Sequence, residues 1–265
     1  MISATAPGSA RRHGPLWGAR AADWAMNEAQ QMPTYQAAIR RVGLTAGDEV
    51  LDVGCGTGVF LRAAADRGAR VCGVDASEAL LKIARGRVPE ADLRVGDMQF
   101  LPYEDDRFDL VTGFNSFFFA ADMVAALREA RRVAKPGAPV VVEVWGRPER
   151  CDLEAMKRAL AQFAPAPEPG TPAPPRLWAD GVLEAIAADA GLAPESAFST
   201  SWAYEFADED ALARAMLAPG LVVEVLQRAP EEAVRRAIVD ALAPYRTPDG
   251  GYRLDNEWHY LVARA

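Results

Sequence analysis

Val50-Leu51-Asp52-Val53-Gly54-Cys55-Gly56-Thr57-Gly58 decides the fold of this 265-residue chain. Val50, Leu51 and Val53 have the β-branched or bulky apolar character of a strand covered on both faces of a parallel sheet. Three glycines in five residues then let the backbone turn sharply and approach a ligand without side chains in the way. Phe60-Leu61-Arg62-Ala63-Ala64-Ala65 follows as a helix whose N-terminus points back at the turn. A strand, a glycine loop and a helix N-terminus form the nucleotide-binding corner of doubly wound α/β proteins. A dinucleotide fingerprint requires a third glycine where this chain has Val59.

Two acids lie further out. A second apolar strand, Ala69 to Val74, ends in Asp75, about 20 residues after the loop, where a carboxylate can accept hydrogen bonds from ribose hydroxyls. A third, Leu93-Arg94-Val95, ends at Gly96-Asp97-Met98, where an acid can accept from an exocyclic adenine amine. A nicotinamide enzyme has no standard need for that second acid.

This order of motifs resembles the class I S-adenosylmethionine-dependent methyltransferases. The resemblance rests on residues 50–58, on Gly73-Val74-Asp75-Ala76-Ser77 and on Gly96-Asp97-Met98. It continues through Pro102 to Val111 and closes with Leu127 to Gly137, covering about Trp17 to Trp145. It implies a Rossmann-like α/β fold, doubly wound, with a seven-stranded, mostly parallel sheet whose last strand is antiparallel. It also implies S-adenosylmethionine as methyl donor and S-adenosylhomocysteine as product. By that resemblance Asp52 and the carbonyls of Gly54, Cys55, Gly56, Thr57 and Gly58 face the ammonium, while loop amides face the carboxylate. Asp75 and Ala76 serve the ribose, Asp97 and the Met98 amide the adenine. Phe114, Asn115 and Trp17 complete the cofactor contacts. Ser77 opens the next helix, so Asp75 also reads as a cap, and Asp97 also reads as a turn residue.

The chain carries 29 basic and 37 acidic residues, a net charge of −8, with no basic stripe. That disfavours a nucleic-acid partner. No apolar run approaches the roughly 20 residues of a membrane span, and the first residues lack the pattern of a signal peptide. Cys55, Cys72 and Cys151 form no C-x-x-C pair. With only His13 and His259 beside them, no metal site is expected. Scattered cysteines fit a reducing cytoplasm, and monomer and homodimer both remain open.

Residues 1–15 read as a disordered lead-in and 16–265 as a single domain. Two helices, broken at Pro33, occupy 16–42, with Trp17, Ala21 and Trp24 on one face. The family often folds such a lid over the methionine end of its cofactor. Strands and helices alternate from Asp48 to Trp145, as a parallel sheet with right-handed crossovers requires. Two inserts, at 147–177 and 208–245, depart from that pattern and are read as a helical cap. The first contains a proline-rich linker; the second, helical twice over, includes Met216 and Leu217, expected to influence acceptor KM. A sixth strand falls within 199–206, and Trp258 to Ala263 supply the last.

Methyl transfer is an in-line displacement in which positioning does most of the work. A base is needed only where the acceptor holds its proton at neutral pH. His259 is the histidine left to serve as one, although a lone histidine on a terminal strand also reads as structural. Asn115, Phe118, Trp145, Trp178 and His259 are candidates for acceptor contact. The expected activity is O-methylation of a small secondary metabolite. Its alternatives are a cofactor-retaining cyclase or pericyclase on the same fold and a non-catalytic ligand-binding protein.

Overall fold

The computed structural model describes residues 8–165 and 173–265. Three helices precede the sheet, at Ala10–Gly18 (α1), Ala21–Ala29 (α2) and Met32–Val42 (α3). Strands β1 (Glu49–Val53), β2 (Arg70–Asp75), β3 (Asp92–Val95), β4 (Leu110–Phe114) and β5 (Pro139–Trp145) follow. Between them lie α4 (Val59–Ala65), α5 (Glu78–Arg87) and α6 (Met123–Val133). The chain ends with α7 (Leu153–Leu160), α8 (Val182–Asp189), β6 (Ala193–Phe206), α9 (Glu209–Leu217), α10 (Gly220–Leu226), α11 (Glu231–Leu242) and β7 (Tyr252–Arg264).

The seven strands form one sheet in the order β3-β2-β1-β4-β5-β7-β6. Strands β1 to β5 pair in parallel, while β7 runs antiparallel to both β5 and β6. The order reverses at β1, so the glycine loop lies at the crevice where open α/β sheets bind ligands. Val50, Leu51 and Val53 are fully buried. Val50 packs under α3 and α4, while Leu51 and Val53 pack on the other face with α6 and α8.

Strands β6 and β7 outrun the sheet. Trp145, the last residue of β5, pairs with Trp258, which pairs with Thr200. Residues 201–206 and 252–257 therefore continue as a two-stranded arm beyond the ligand edge. Helices α9, α10 and α11 connect the arm's strands and pack on α2, α1 and α7 respectively. Ion pairs Arg12–Glu224 and Arg214–Asp23, each 2.7 Å, tie α1 and α2 to these helices.

Several expectations need correction. The lead-in is helical from Ala10, and residues 1–7 lie outside the described residues. Segment 16–42 belongs to three helices. Pro33 sits in the first turn of α3, where its missing N–H costs nothing. Three helices rather than two fill 208–245, and β6 begins at Ala193. Much of β6 is exposed, which weakens the apolar alternation that marks a strand. Part of the proline-rich linker, 166–172, lies outside the described residues.

Candidate active site

The loop after β1 is built by backbone geometry. Gly54 and Gly56 have φ of 79° and 53°, the left-handed region that side chains disfavour. A Cβ on Gly54 would stand 2.4 Å from that of Ser116, and one on Gly56 2.8 Å from the Glu28 carboxylate. The loop is thus clamped between the turn after β4 and helix α2. Asp75, at the end of β2, accepts from the Gly56 amide at 2.9 Å and the Ser77 amide at 2.8 Å. Ser77 itself caps α5 by accepting from Leu80 N. Burial pushes the Asp75 carboxyl up, and the amides of Ser77, Gly56 and Ala76 oppose that shift.

Asp97 follows β3 and accepts from the amides of Gln99 (2.9 Å) and Ala10 (2.8 Å). The second of these comes from the start of α1, so the N-terminal helix closes over the outer end of the crevice. A small cavity of about 30 Å³ remains there, lined by His13, Gly54, Asp75, Asp97, Met98 and Phe119 among others. His13, assigned above to a disordered segment, lies at this rim with its ring 5.1 Å from Phe119.

A second group of acids lies deeper, on the sheet face under α2 and α3. Glu28 accepts from the Thr57 amide at 2.9 Å; burial pushes its carboxyl up to about 7 against that hydrogen bond and Arg87. Asp52 accepts from Thr112 Oγ1 at 2.8 Å, and burial raises it to about 8. Glu143, fully buried on β5, accepts at Oε1 from Asn115 Nδ2 at 2.9 Å. Its Oε2 has no well-formed hydrogen bond among the described residues, and burial raises the carboxyl to about 8 against the neighbouring Tyr260 and Thr34 hydroxyls. No Lys, Arg or His pairs with Asp52 or Glu143 among the described residues.

The crevice brings together Asp52, Gly54, Cys55, Gly56, Thr57, Gly58, Asp75, Ala76, Asp97, Met98, Phe114 and Asn115. Cys55 is buried against Gly73, a packing position. Phe114 meets Tyr35 and Phe60, each with ring centres 4.7 Å away. Asn115 has a left-handed φ of 48°, a strain that local hydrogen bonds must hold.

Other candidates fall elsewhere. Trp17 packs on Trp24 (4.7 Å) and Phe119 (5.6 Å) and against Gly220. Helix α1 covers the Asp97 end, and it is α2 and α3 that cover the end expected for methionine. Phe118 packs against Phe119 with ring centres 4.6 Å apart and planes tilted by 41°. Trp145 stacks on Trp258 at 5.4 Å. Trp178 precedes α8, beneath the Arg176 guanidinium.

His259 falls on the structural side of its two readings. Tyr260 pairs in register with Glu143 and packs on that same face. Side chains alternate along a strand, so His259 projects to the opposite face. There its Nδ1 lies 3.2 Å from Ser199 Oγ, near Glu184 and Asp180, and burial lowers its pKa.

Sequence reasoning missed Glu28 and Glu143. Glu143 had a signal, as the one charged residue in the strand Val140 to Trp145. Glu28 had none, because a single glutamate on a helix reads as solvated surface.

Residues 51–142 match the family model described as a methyltransferase domain. That stretch, about a third of the chain, is similar to a methyltransferase domain. Demethylmenaquinone methyltransferase of Tropheryma whipplei (strain Twist) is 39% identical over 120 residues, 43% of this chain and 49% of that protein. Ubiquinone biosynthesis O-methyltransferase of Alkalilimnicola ehrlichii is 34% identical over 131 residues, 47% and 53% of the two chains. The chain thus spans about half the length of these curated relatives. Among solved structures, the YcgJ protein of Bacillus subtilis covers 88% of this chain and 97% of its own, with TM-score 0.57 and 17% identity. The cyclase SpnF covers 88% and 80%, with TM-score 0.56 and 23% identity. At those identities the likeness is one of fold. The matched segment ends within β5, so the arm and helices α7 to α11 lie outside it.

Proposed function

We propose that the protein binds S-adenosylmethionine and transfers its methyl group to a small-molecule acceptor, with an oxygen nucleophile expected. One observation carries this reading. Five carboxyls, from Glu28, Asp52, Asp75, Asp97 and Glu143, line or underlie one crevice, and the loop amides of Gly56 and Thr57 already face two of them. A pyrophosphate there would meet like charge and occupied donors. A ligand with an ammonium, a sulfonium, a ribose and an amino-purine, and no phosphate, meets complementary groups.

Asp97 would accept from the adenine amine in place of the Ala10 amide, and the Met98 amide would serve a ring nitrogen. Asp75 would accept from the ribose hydroxyls. Asp52 and the loop carbonyls would face the ammonium, near the aromatic floor of Tyr35, Phe60 and Phe114. The donor, when bound, supplies an electrophilic methyl group. Helices α1 to α3 exclude water from the crevice, as closing elements do. The 30 Å³ cavity is far below the roughly 300 Å³ or more of a ligand site, so these helices must move to admit one.

The names of the curated relatives make a hydroxylated quinone precursor a reasonable first acceptor class, within cytoplasmic small-molecule metabolism. A cofactor-retaining cyclase is the second reading, favoured by His259 lying on the far face. Mass spectrometry after incubation with methyl-labelled donor and a panel of hydroxylated aromatics tests both. A product heavier by one labelled methyl group supports transfer. Consumption of an acceptor at unchanged mass, with the donor intact, supports the cyclase.

A further inference from the structure

Glu143 is the buried acid that the assignments above leave without a task. The turn after β4 joins it to the glycine loop. On one side Ser116 Oγ donates to the Val53 carbonyl at 2.6 Å, and Ser116 packs against Gly54. On the other, the Asn115 amide and its Nδ2 donate to the Glu143 carbonyl (3.0 Å) and Oε1 (2.9 Å). A ligand chain running along the glycine loop past Asp52 therefore arrives at Asn115 and Glu143. Asn115 Oδ1 and Glu143 Oε2 have no well-formed hydrogen bond, although the Tyr260 and Thr34 hydroxyls lie close enough to the Glu143 carboxyl to favour its charged form. Two such acceptors in a buried site call for a positively charged or donor-rich group.

We propose that Glu143 is the counter-charge for the sulfonium and gives up a proton when that charge arrives, so that the protein distinguishes S-adenosylmethionine from S-adenosylhomocysteine by protonation. This rests on the donor assignment above. The groups facing Glu143 come from every surrounding element. They are Asp52 on β1, Asn115 on β4, Tyr204 on β6, Tyr260 on β7, and Thr34 and Tyr35 on α3. Glu28 on α2 lies within electrostatic reach of Tyr35, Tyr204 and Asp52. None is cationic. Tyr260 donates its hydroxyl to the Thr34 carbonyl at 3.1 Å. Without a ligand, a proton is the means by which this carboxyl avoids a buried, uncompensated charge. A sulfonium compensates the carboxylate and displaces the proton to solvent. The thioether of S-adenosylhomocysteine is neutral and does not.

The test is titration calorimetry of the full chain near pH 7 with each nucleoside, in two buffers of different ionisation enthalpy, which yields protons released per ligand bound. The wild type is expected to release close to one more proton, at most about one, with S-adenosylmethionine than with S-adenosylhomocysteine. In Glu143→Gln, which keeps an acceptor for Asn115, that difference disappears while S-adenosylhomocysteine affinity stays within about threefold of wild type, roughly 0.7 kcal/mol. Equal proton release by the two ligands in the wild type, a comparison that does not depend on the variant, overturns the inference. So does an undiminished difference in Glu143→Gln. Binding of neither nucleoside overturns the donor assignment itself, and the inference with it.

Discussion

Replacing Glu28 by glutamine should make the free protein more stable, and increasingly so as the pH rises. Glu28 is buried on α2 and accepts from the Thr57 amide at 2.9 Å. Burial lifts its carboxyl from an ordinary value of 4.5 to about 7. A raised carboxyl binds a proton in the folded state that the unfolded chain releases, so stability is full below pH 4.5 and is lost as the pH climbs through 7. A rise from 4.5 to about 7 amounts to about 3 kcal/mol on the alkaline side. Glutamine has no proton to lose, and its amide oxygen can still accept from Thr57. Urea denaturation of both proteins in steps from acid to about pH 8.5 would measure the effect. The two should agree near pH 4.5 and diverge by about 3 kcal/mol by pH 8, with Glu28→Gln the more stable. Parallel curves, or a variant that loses stability as the pH rises, would refute the view that burial outweighs the Thr57 hydrogen bond and Arg87 at Glu28.

Other substitutions separate binding from folding. Asp75→Ala should weaken S-adenosylhomocysteine binding by roughly 1–3 kcal/mol without unfolding the chain; calorimetry showing unchanged affinity would remove the ribose role. His259→Ala should leave nucleoside affinity and any methyl transfer close to wild type, and a loss of kcat of about 100-fold would return it to the list of bases. Met216 is about 1% exposed within the main core, so Met216→Ala should cost about 2–5 kcal/mol in thermal or urea unfolding. The residue reads as packing rather than as an acceptor contact, and unchanged stability would reverse that.

The parallel half of the fold was legible because β1, β2, β4 and β5 are short, mostly apolar runs and each helix between them has its own boundary signal. Asp122 at the start of α6 accepts from Ala125 N at 3.0 Å, and Gly137 beyond its end takes φ of 78°. The glycine loop, Asp75 and Asp97 were equally readable, since their spacing follows from where parallel strands end. The exposed arm of β6 was not, because one of its faces is solvated. Helix α1 was hidden by Pro15 and by its glycines, which read as turn residues. Gly14 and Gly220 instead permit close approach to Ala76 and Trp17. The lid's placement was misread for a related reason. Trp17 marks an aromatic helix face, but which end of the crevice it covers depends on contacts such as Ala10 with Asp97, nearly 90 residues away.

The central claim is that this acid-lined crevice accepts a phosphate-free nucleoside carrying an ammonium group and rejects a pyrophosphate. Calorimetric titration of the purified chain with S-adenosylhomocysteine and, separately, with NAD tests it most directly. Saturable one-site binding of S-adenosylhomocysteine with no heat from NAD is the expected result. Binding of NAD, with S-adenosylhomocysteine inert, would contradict it.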